Sequence, residues 1–341
     1  MESLYDRSSF GHGMASEYPS NRSLGRFTDV HVGFERSFDA QLAQIPWIDP
    51  HGHHHTLTWR EHEEFELSGC VALVMAGGLA NEVPYRPMNE ADIRGGWDRT
   101  IRLSHTLSRN HAFDAYAAVG VHTSVGPIDG LEYLFDALAQ YAALDEVVAI
   151  SETGISMIPE HETVSLEIQR EIIRRQFQIA ADHGLPAILH TPTTIKGDDE
   201  YASVSTEAHD RGEAVLEPTT AKRDAAKIDL EEARKTDLEE SQIVFSHAHR
   251  SMVPWVLENS DCSVSFTVGN ATRDITIDDI ASAIRNYGPD RILIDSDSAA
   301  HKKLTPFAVK RTIINLLKMG IEPEVVRQIV YDNPRSMLGI Q

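Results

Sequence analysis

The sequence predicts an α/β fold: a (β/α)8 TIM barrel with an N-terminal extension and a long insertion after the fifth strand. Three observations point there. The chain has 341 residues, a length that suits one such barrel with extensions. From about residue 44 onward, short apolar runs alternate with segments of helical spacing, the pattern of parallel βα units. No Gly-x-Gly-x-x-Gly follows any of the runs, which counts against the competing dinucleotide-binding open sheet.

Taken in order, residues 1–43 are polar and rich in Ser, Gly and Arg, with no sustained period. They read as a partly disordered extension, with a short helix around 37–44. The barrel domain is then expected over 44–341. Its strands are expected at Trp47–Asp49, Val71–Met75, Asp114–Val121, Val147–Ser151, Ala187–Leu189, Ile243–Phe245, Cys262–Phe266 and Ile292–Ile294. Helical spacing marks Trp97–Ser108, Leu131–Leu144, Val164–His183, Ala221–Lys235, Ser251–Leu257, Ile277–Tyr287 and Thr305–Met319. The link from about Pro192 to Ser241 is long and highly charged, and reads as an insertion at the barrel mouth. Glu322–Leu338, with Asp332-Asn333-Pro334 inside it, reads as a closing helix and a final turn.

Composition narrows the function classes. The formal net charge is −21, and the first lysine is Lys196. Such a chain repels polyanions, and binding nucleic acid by simple electrostatics needs basic surface. A small-molecule or short phosphoester substrate is therefore favoured over a long nucleic acid. No apolar run approaches the ~20 residues of a membrane span, and the N-terminus lacks a basic start followed by an apolar stretch. Cys70 and Cys262 sit singly in apolar segments and read as buried reduced thiols, which points to the cytoplasm. No motif encodes an oligomeric state.

The chemistry sits at the ends of the apolar runs. Ile48-Asp49-Pro50-His51-Gly52-His53-His54-His55 continues the first strand. His51 and His53 are two apart, so a strand turns both imidazoles to one face, as two ligands of one ion require. Strand alternation turns His54 away, and the strand is expected to end before His55. Glu152 follows the fourth run, His190 the fifth and His247 the sixth, and Asp295 and Asp297 follow the eighth. In a barrel these ends converge on one face, where active sites are built. Asp297 is preferred over Asp295 as nearer the mouth, and His247 over His249 as directly ending its run. Four imidazoles and two carboxylates suit one or two divalent ions of borderline hardness. His122, ending the third run, and Arg250 are candidate contacts for a substrate anion.

These motifs resemble the TatD-like metal-dependent hydrolases of the amidohydrolase superfamily, in a divergent, archaeal-type branch. Asp49-Pro50-His51-Gly52-His53 resembles the family's opening Asp-x-His-x-His. Gly120-Val121-His122 resembles its Gly-x-His element, and Ser151-Glu152-Thr153-Gly154-Ile155 its Gly-Glu-x-Gly-Leu element. Leu189-His190 and Ser246-His247 resemble its two single-His strands. Asp295-Ser296-Asp297-Ser298 resembles its Glu-Thr-Asp-x-Pro, and Asp332-Asn333-Pro334 its C-terminal helix. Thr123, Ser151 and Ser156 depart from the pattern.

The resemblance implies two divalent ions (Zn, Mn or Mg). His51, His53 and Asp297 would hold one, His190 and His247 the other, with Glu152 bridging. With no lysine before Lys196, a carboxylated lysine on the fourth strand is excluded. The implied activity is hydrolysis of an ester bond by metal-activated water, with a phosphoester (nuclease or phosphodiesterase) first. Glu152 and Asp297 would be the catalytic carboxylates, with Asp297 taking the proton. A small-molecule amidohydrolase or lactonase is the alternative, and a non-catalytic metal-binding protein the alternative of another class.

Overall fold

The computed structural model describes residues 44–77, 89–123, 131–155, 165–191, 221–268, 275–299 and 306–340. The expected extension, Lys196, Ser156 and most of the expected insertion lie outside the described residues.

Eight parallel strands form one sheet in sequential order. They are β1 (Trp47–Gly52), β2 (Cys70–Gly77), β3 (Asp114–Val119), β4 (Val147–Thr153), β5 (Ala187–Leu189), β6 (Ile243–Phe245), β7 (Ser263–Thr267) and β8 (Ile292–Asp295). Beyond the last strand residues, the β8 and β1 ends bond to each other. Asp297 N–H donates to the His51 carbonyl at 3.1 Å, and His53 N–H to the Ser298 carbonyl at 2.7 Å. These bonds join the two outer strands at their C-terminal ends.

Between the strands run α1 (Trp59–Leu67), α2 (Glu90–Asn110), α3 (Leu131–Ala142), α4 (Leu166–His183), α5 (Ala221–Ala233), α6 (Val253–Asn259), α7 (Ile277–Tyr287) and α8 (Ala308–Lys318). The expected closing helix is α9 (Pro323–Arg327), a π-turn over Gln328–Asp332, and α10 (Asn333–Leu338). Helix α1 carries no clear apolar stripe, since only His62 and Phe65 of its nine residues are buried. Its signal is the capping box, in which Thr58 accepts from Glu61 N–H and the Glu61 side chain bonds back to Thr58. Helix α2 begins seven residues before the expected Trp97, at an Asn89 cap.

Two apolar layers follow from strand alternation. Ile48, Ala72, Val74, Ala118, Val148, Ile188, Val244 and Leu293 meet inside the barrel, together with Leu338 and Ile340 from the chain's end. Their neighbours Trp47, Leu73, Met75, Phe245, Ile292 and Ile294 face the helices. Fully burying each of the larger side chains contributes roughly 1.5–3 kcal/mol. Strand β7 sends Val264 and Phe266 outward, so its inward positions are Ser263, Ser265 and Thr267. That polar strip becomes part of the site's support.

Candidate active site

Each predicted ligand lies at or just beyond the C-terminal end of its strand, and all are buried except His190, which is partly buried. Simple alternation from inward-facing Ile48 would turn His51 outward. A register shift between Asp49 and Gly52 reverses that parity. Pro50, with no N–H to give to the ladder, sits in the irregular segment. His51 and His53 therefore face inward together, their rings edge to face at 5.4 Å.

The Glu152 carboxylate is the hub. Its Oε1 lies 3.3 Å from His51 Nε2, 2.9 Å from His190 Nδ1 and 3.2 Å from His247 Nε2. Its Oε2 lies 3.5 Å from His53 Nε2. Asp297 Oδ1 stands 3.3 Å from His53 Nε2 and 3.8 Å from His51 Nε2. Two groups of side chains have donor atoms close enough to share one ion: His51, His53 and Asp297, and His51, Glu152 and His247.

His247 and Asp297 both hold left-handed backbones, at φ 54° and 45°. Non-glycine residues adopt that region at a cost, and it clusters at functional sites. By alternation from inward-facing Val244, His247 would point out. The left-handed turn brings it in.

The supporting shell fixes which nitrogen is available. Thr267 Oγ1 donates to Asp295 Oδ1 at 2.7 Å. A hydroxyl has one proton, so the 2.9 Å bond to His247 Nδ1 must run from the ring N–H to Oγ1. The His247 Nε2 lone pair then faces Glu152 Oε1 at 3.2 Å. A lone pair and a carboxylate oxygen repel at that distance unless a cation lies between them, so the donor set fits a divalent ion.

Asp295, the rejected alternative to Asp297, accepts from Ser246 Oγ, Ser265 Oγ and Thr267 Oγ1. It is buried support, with its pKa raised to about 6 by burial, which His51 and the hydroxyl donors offset only in part. Asp49 plays the matching part under β1. It accepts from Ser296 N–H at 2.9 Å and from the Ser296 hydroxyl, and pairs with His54 Nε2 at 3.0 Å. His54 thus turns away from the centre, as alternation predicts.

Electrostatics favour occupied ligands. Burial works against a negative Glu152, but His190 and His51 outweigh it and hold the carboxyl well below its usual range. Burial also opposes a charge on His51, yet Glu152, with Asp295 and Asp297, raises it to about 9. A proton there stands where an ion's charge would, so metal binding releases it. Burial dominates at His247 and lowers it to about 4, leaving the neutral imidazole that ligation requires.

His122 is buried beside the centre, its ring against that of His190 at 5.0 Å. Arg250 is placed differently. It sits at the rim with its guanidinium 3.2 Å from Asp279 Oδ2 on α7. His55 lies in the turn after β1, its ring 6.1 Å from that of His53.

The sequence gave no hint of Gln176 on α4. Its Oε1 accepts Val121 N–H at 2.7 Å, and its Nε2 donates to Val121 O at 2.8 Å and Thr153 Oγ1 at 2.7 Å. This buried amide ties the residue before His122 to the residue after Glu152. A polar side chain on the apolar stripe of Ile172, Ile173, Phe177 and Ala180 was the available signal.

A parallel barrel with histidines and carboxylates gathered at its strand ends defines a metal-dependent hydrolase of the amidohydrolase type. The family model described as "TatD related DNase" matches residues 48–339, and the chain belongs to that family. It is 26% identical over 289 residues to an uncharacterized metal-dependent hydrolase of Methanocaldococcus jannaschii, covering 85% of this chain and 98% of the relative. Among solved structures it is similar to a TatD-like protein of Archaeoglobus fulgidus, at TM-score 0.60 and 18% identity over 86% of this chain and all of that one. It is also similar to a beta-aspartyl dipeptidase of Fervidobacterium islandicum, at TM-score 0.59 and 17% identity over 86% of this chain and 72% of that one.

Proposed function

We propose that this TatD-type hydrolase cleaves phosphoester bonds of small or short-chain substrates at a two-ion centre. The observation that carries the reading is Glu152, whose one carboxylate lies within 3.5 Å of all four imidazoles. A carboxylate shared in this way is suited to bridging, with His51, His53 and Asp297 on one side and His190 and His247 on the other.

Divalent ions (Zn, Mn or Mg) held there would lower the pKa of a water toward ~7 and polarise the scissile group. Asp297, close to both His51 and His53, is placed to accept the proton of the attacking water. Glu152 keeps its negative charge through the reaction because four imidazoles surround it. His122, against His190, is the contact for the substrate's anionic group. Arg250 would reach that group only by giving up Asp279. The Thr267–Asp295 pair holds His247 in one tautomer, so that no reorganisation is needed as charge develops.

The net charge of −21 favours a small substrate over a long nucleic acid, and so also supports a lactone or cyclic amide as the second reading. Cys70 and Cys262 are both free and buried, which supports placing the protein in the reducing cytoplasm. No helix among the described residues is long and apolar enough to cross a membrane.

The test is hydrolysis of a chromogenic phosphodiester by chelator-stripped protein reloaded with Zn or Mn, run beside single-stranded DNA, lactones and cyclic amides. His51→Ala, Glu152→Gln and Asp297→Asn should each lower kcat at least 100-fold with unchanged far-UV circular dichroism. Full activity in His51→Ala and Asp297→Asn would reject the assignment. Turnover of lactones or amides alone would reject the phosphoester.

A further inference from the structure

The half of the centre furthest from the His51–His53 strand rests on a single imidazole, His247, in a left-handed backbone. That conformation turns the ring inward, so whatever holds it decides whether the second half of the centre forms. Its side chain is held by Thr267 Oγ1 at 2.9 Å. Its backbone is held from two other elements. Thr191, the residue after His190, donates its hydroxyl to Ser246 O and to His247 O, the latter at 3.2 Å. Lys222 on α5 donates its ammonium to His247 O at 2.6 Å.

Lys222 occupies an expensive place. Its side chain is 1% exposed, and burying an ammonium is costly unless it is well bonded. It is also the second residue of α5, where the helix dipole disfavours a cation. Two unfavourable placements are kept together with a short charge-assisted bond to one carbonyl, that of the residue whose backbone most needs holding.

We propose that Lys222 is a positioning residue that locks the left-handed backbone of His247. It thereby presents Nε2 beside Glu152 and His190, and the second ion's affinity depends on it. The proposal rests on the two-ion reading for its consequence, but its geometric core does not. It also gives the connection after β5 a role, because α5 returns from that connection directly onto the site.

The test uses the full-length protein with Lys222→Met, and two readouts. Zinc per chain and its affinity are measured by competition with a chromophoric chelator. The tautomer of His247 is read by long-range proton–nitrogen NMR on the metal-free protein. Wild type should bind two ions, with His247 protonated on Nδ1. In Lys222→Met the first ion should bind as before, the second at least 10-fold more weakly, and the His247 signals should shift or show both tautomers. If Lys222→Met binds two ions with wild-type affinities and an unchanged His247 tautomer, the proposal is overturned, even if the melting temperature falls. If wild type binds one ion, the two-ion reading fails. The metal-free tautomer then decides on Lys222 by itself, a shifted His247 supporting the proposal and an unshifted one overturning it. Should Lys222→Met not fold, Lys222→Gln, which keeps a donor but falls short of the carbonyl, takes its place.

Discussion

Asp229→Asn should change how the protein's stability responds to pH, in a direction that is unusual for a carboxylate. Asp229 lies on α5, wholly buried. Its Oδ1 accepts Ile155 N–H at 3.0 Å, three residues beyond Glu152. Its Oδ2 has no hydrogen-bond partner among the described residues. Burial raises its pKa from 3.8 to about 8, the Ile155 N–H and Arg170 offsetting only part of this.

The folded carboxyl is therefore protonated at pH 7, while the unfolded one is ionised. Folding takes up a proton, so the group's contribution is fully present below pH 3.8 and is lost as pH rises towards about 8. Each unit in that window costs about 1.4 kcal/mol, or roughly 4 kcal/mol between pH 5 and pH 8. Asparagine keeps the Oδ1 acceptor and has no proton to take up. Guanidinium unfolding of the metal-free protein at half-unit pH steps should show wild type losing stability relative to Asp229→Asn at that slope. A difference that stays flat within about 0.5 kcal/mol from pH 5 to 8 would falsify the reasoning and show Asp229 to be ionised in the fold.

The opposite pH response is expected under β1. Burial, with His54 and His111 adding to it, lowers His62 to about 4, so its contribution is present above pH 6.5 and lost as pH falls towards 4, by about 3 kcal/mol at most. Thermal melts of His62→Gln between pH 4 and 7 should be flatter than those of wild type. Gln176→Leu strands a backbone N–H, a carbonyl and a hydroxyl, and should cost ~3 kcal/mol or more in urea unfolding, while Lys227→Ala on the exposed side of α5 should cost under ~0.5 kcal/mol. Gly154 has φ +119°, and a Cβ there would lie 2.5 Å from His190 O. Gly154→Ala should therefore displace β5 from β4 and lower turnover and metal affinity together, which activity and chelator competition on one preparation would show.

The barrel was legible because parallel strands buried on both faces read as continuous apolar runs, such as Val71–Met75, and because eight of them alternate with helices. The candidate ligands were legible because strand ends converge in a barrel, so position after an apolar run is enough to gather His51, His53, Glu152, His190, His247 and Asp297. Helix α1 was not, because a short charged helix buries too little to leave a period. Gln176, Thr267, Thr191 and Lys222 were not, because a residue that acts by bonding to another strand's backbone carries no local signature.

The sequence by itself determined the fold class, the family and the inventory of ligand-type side chains, since these depend on local pattern and on the order of elements. Which face those side chains take was decided only in three dimensions. Alternation alone would send His51 and His247 outward. A register shift at Pro50 reverses the first, and a left-handed turn at His247 reverses the second. The choice of Asp297 over Asp295 is finally explained by the Ser246, Ser265 and Thr267 hydroxyls that claim Asp295. These are contacts between distant strands, and they exist only once the sheet has closed.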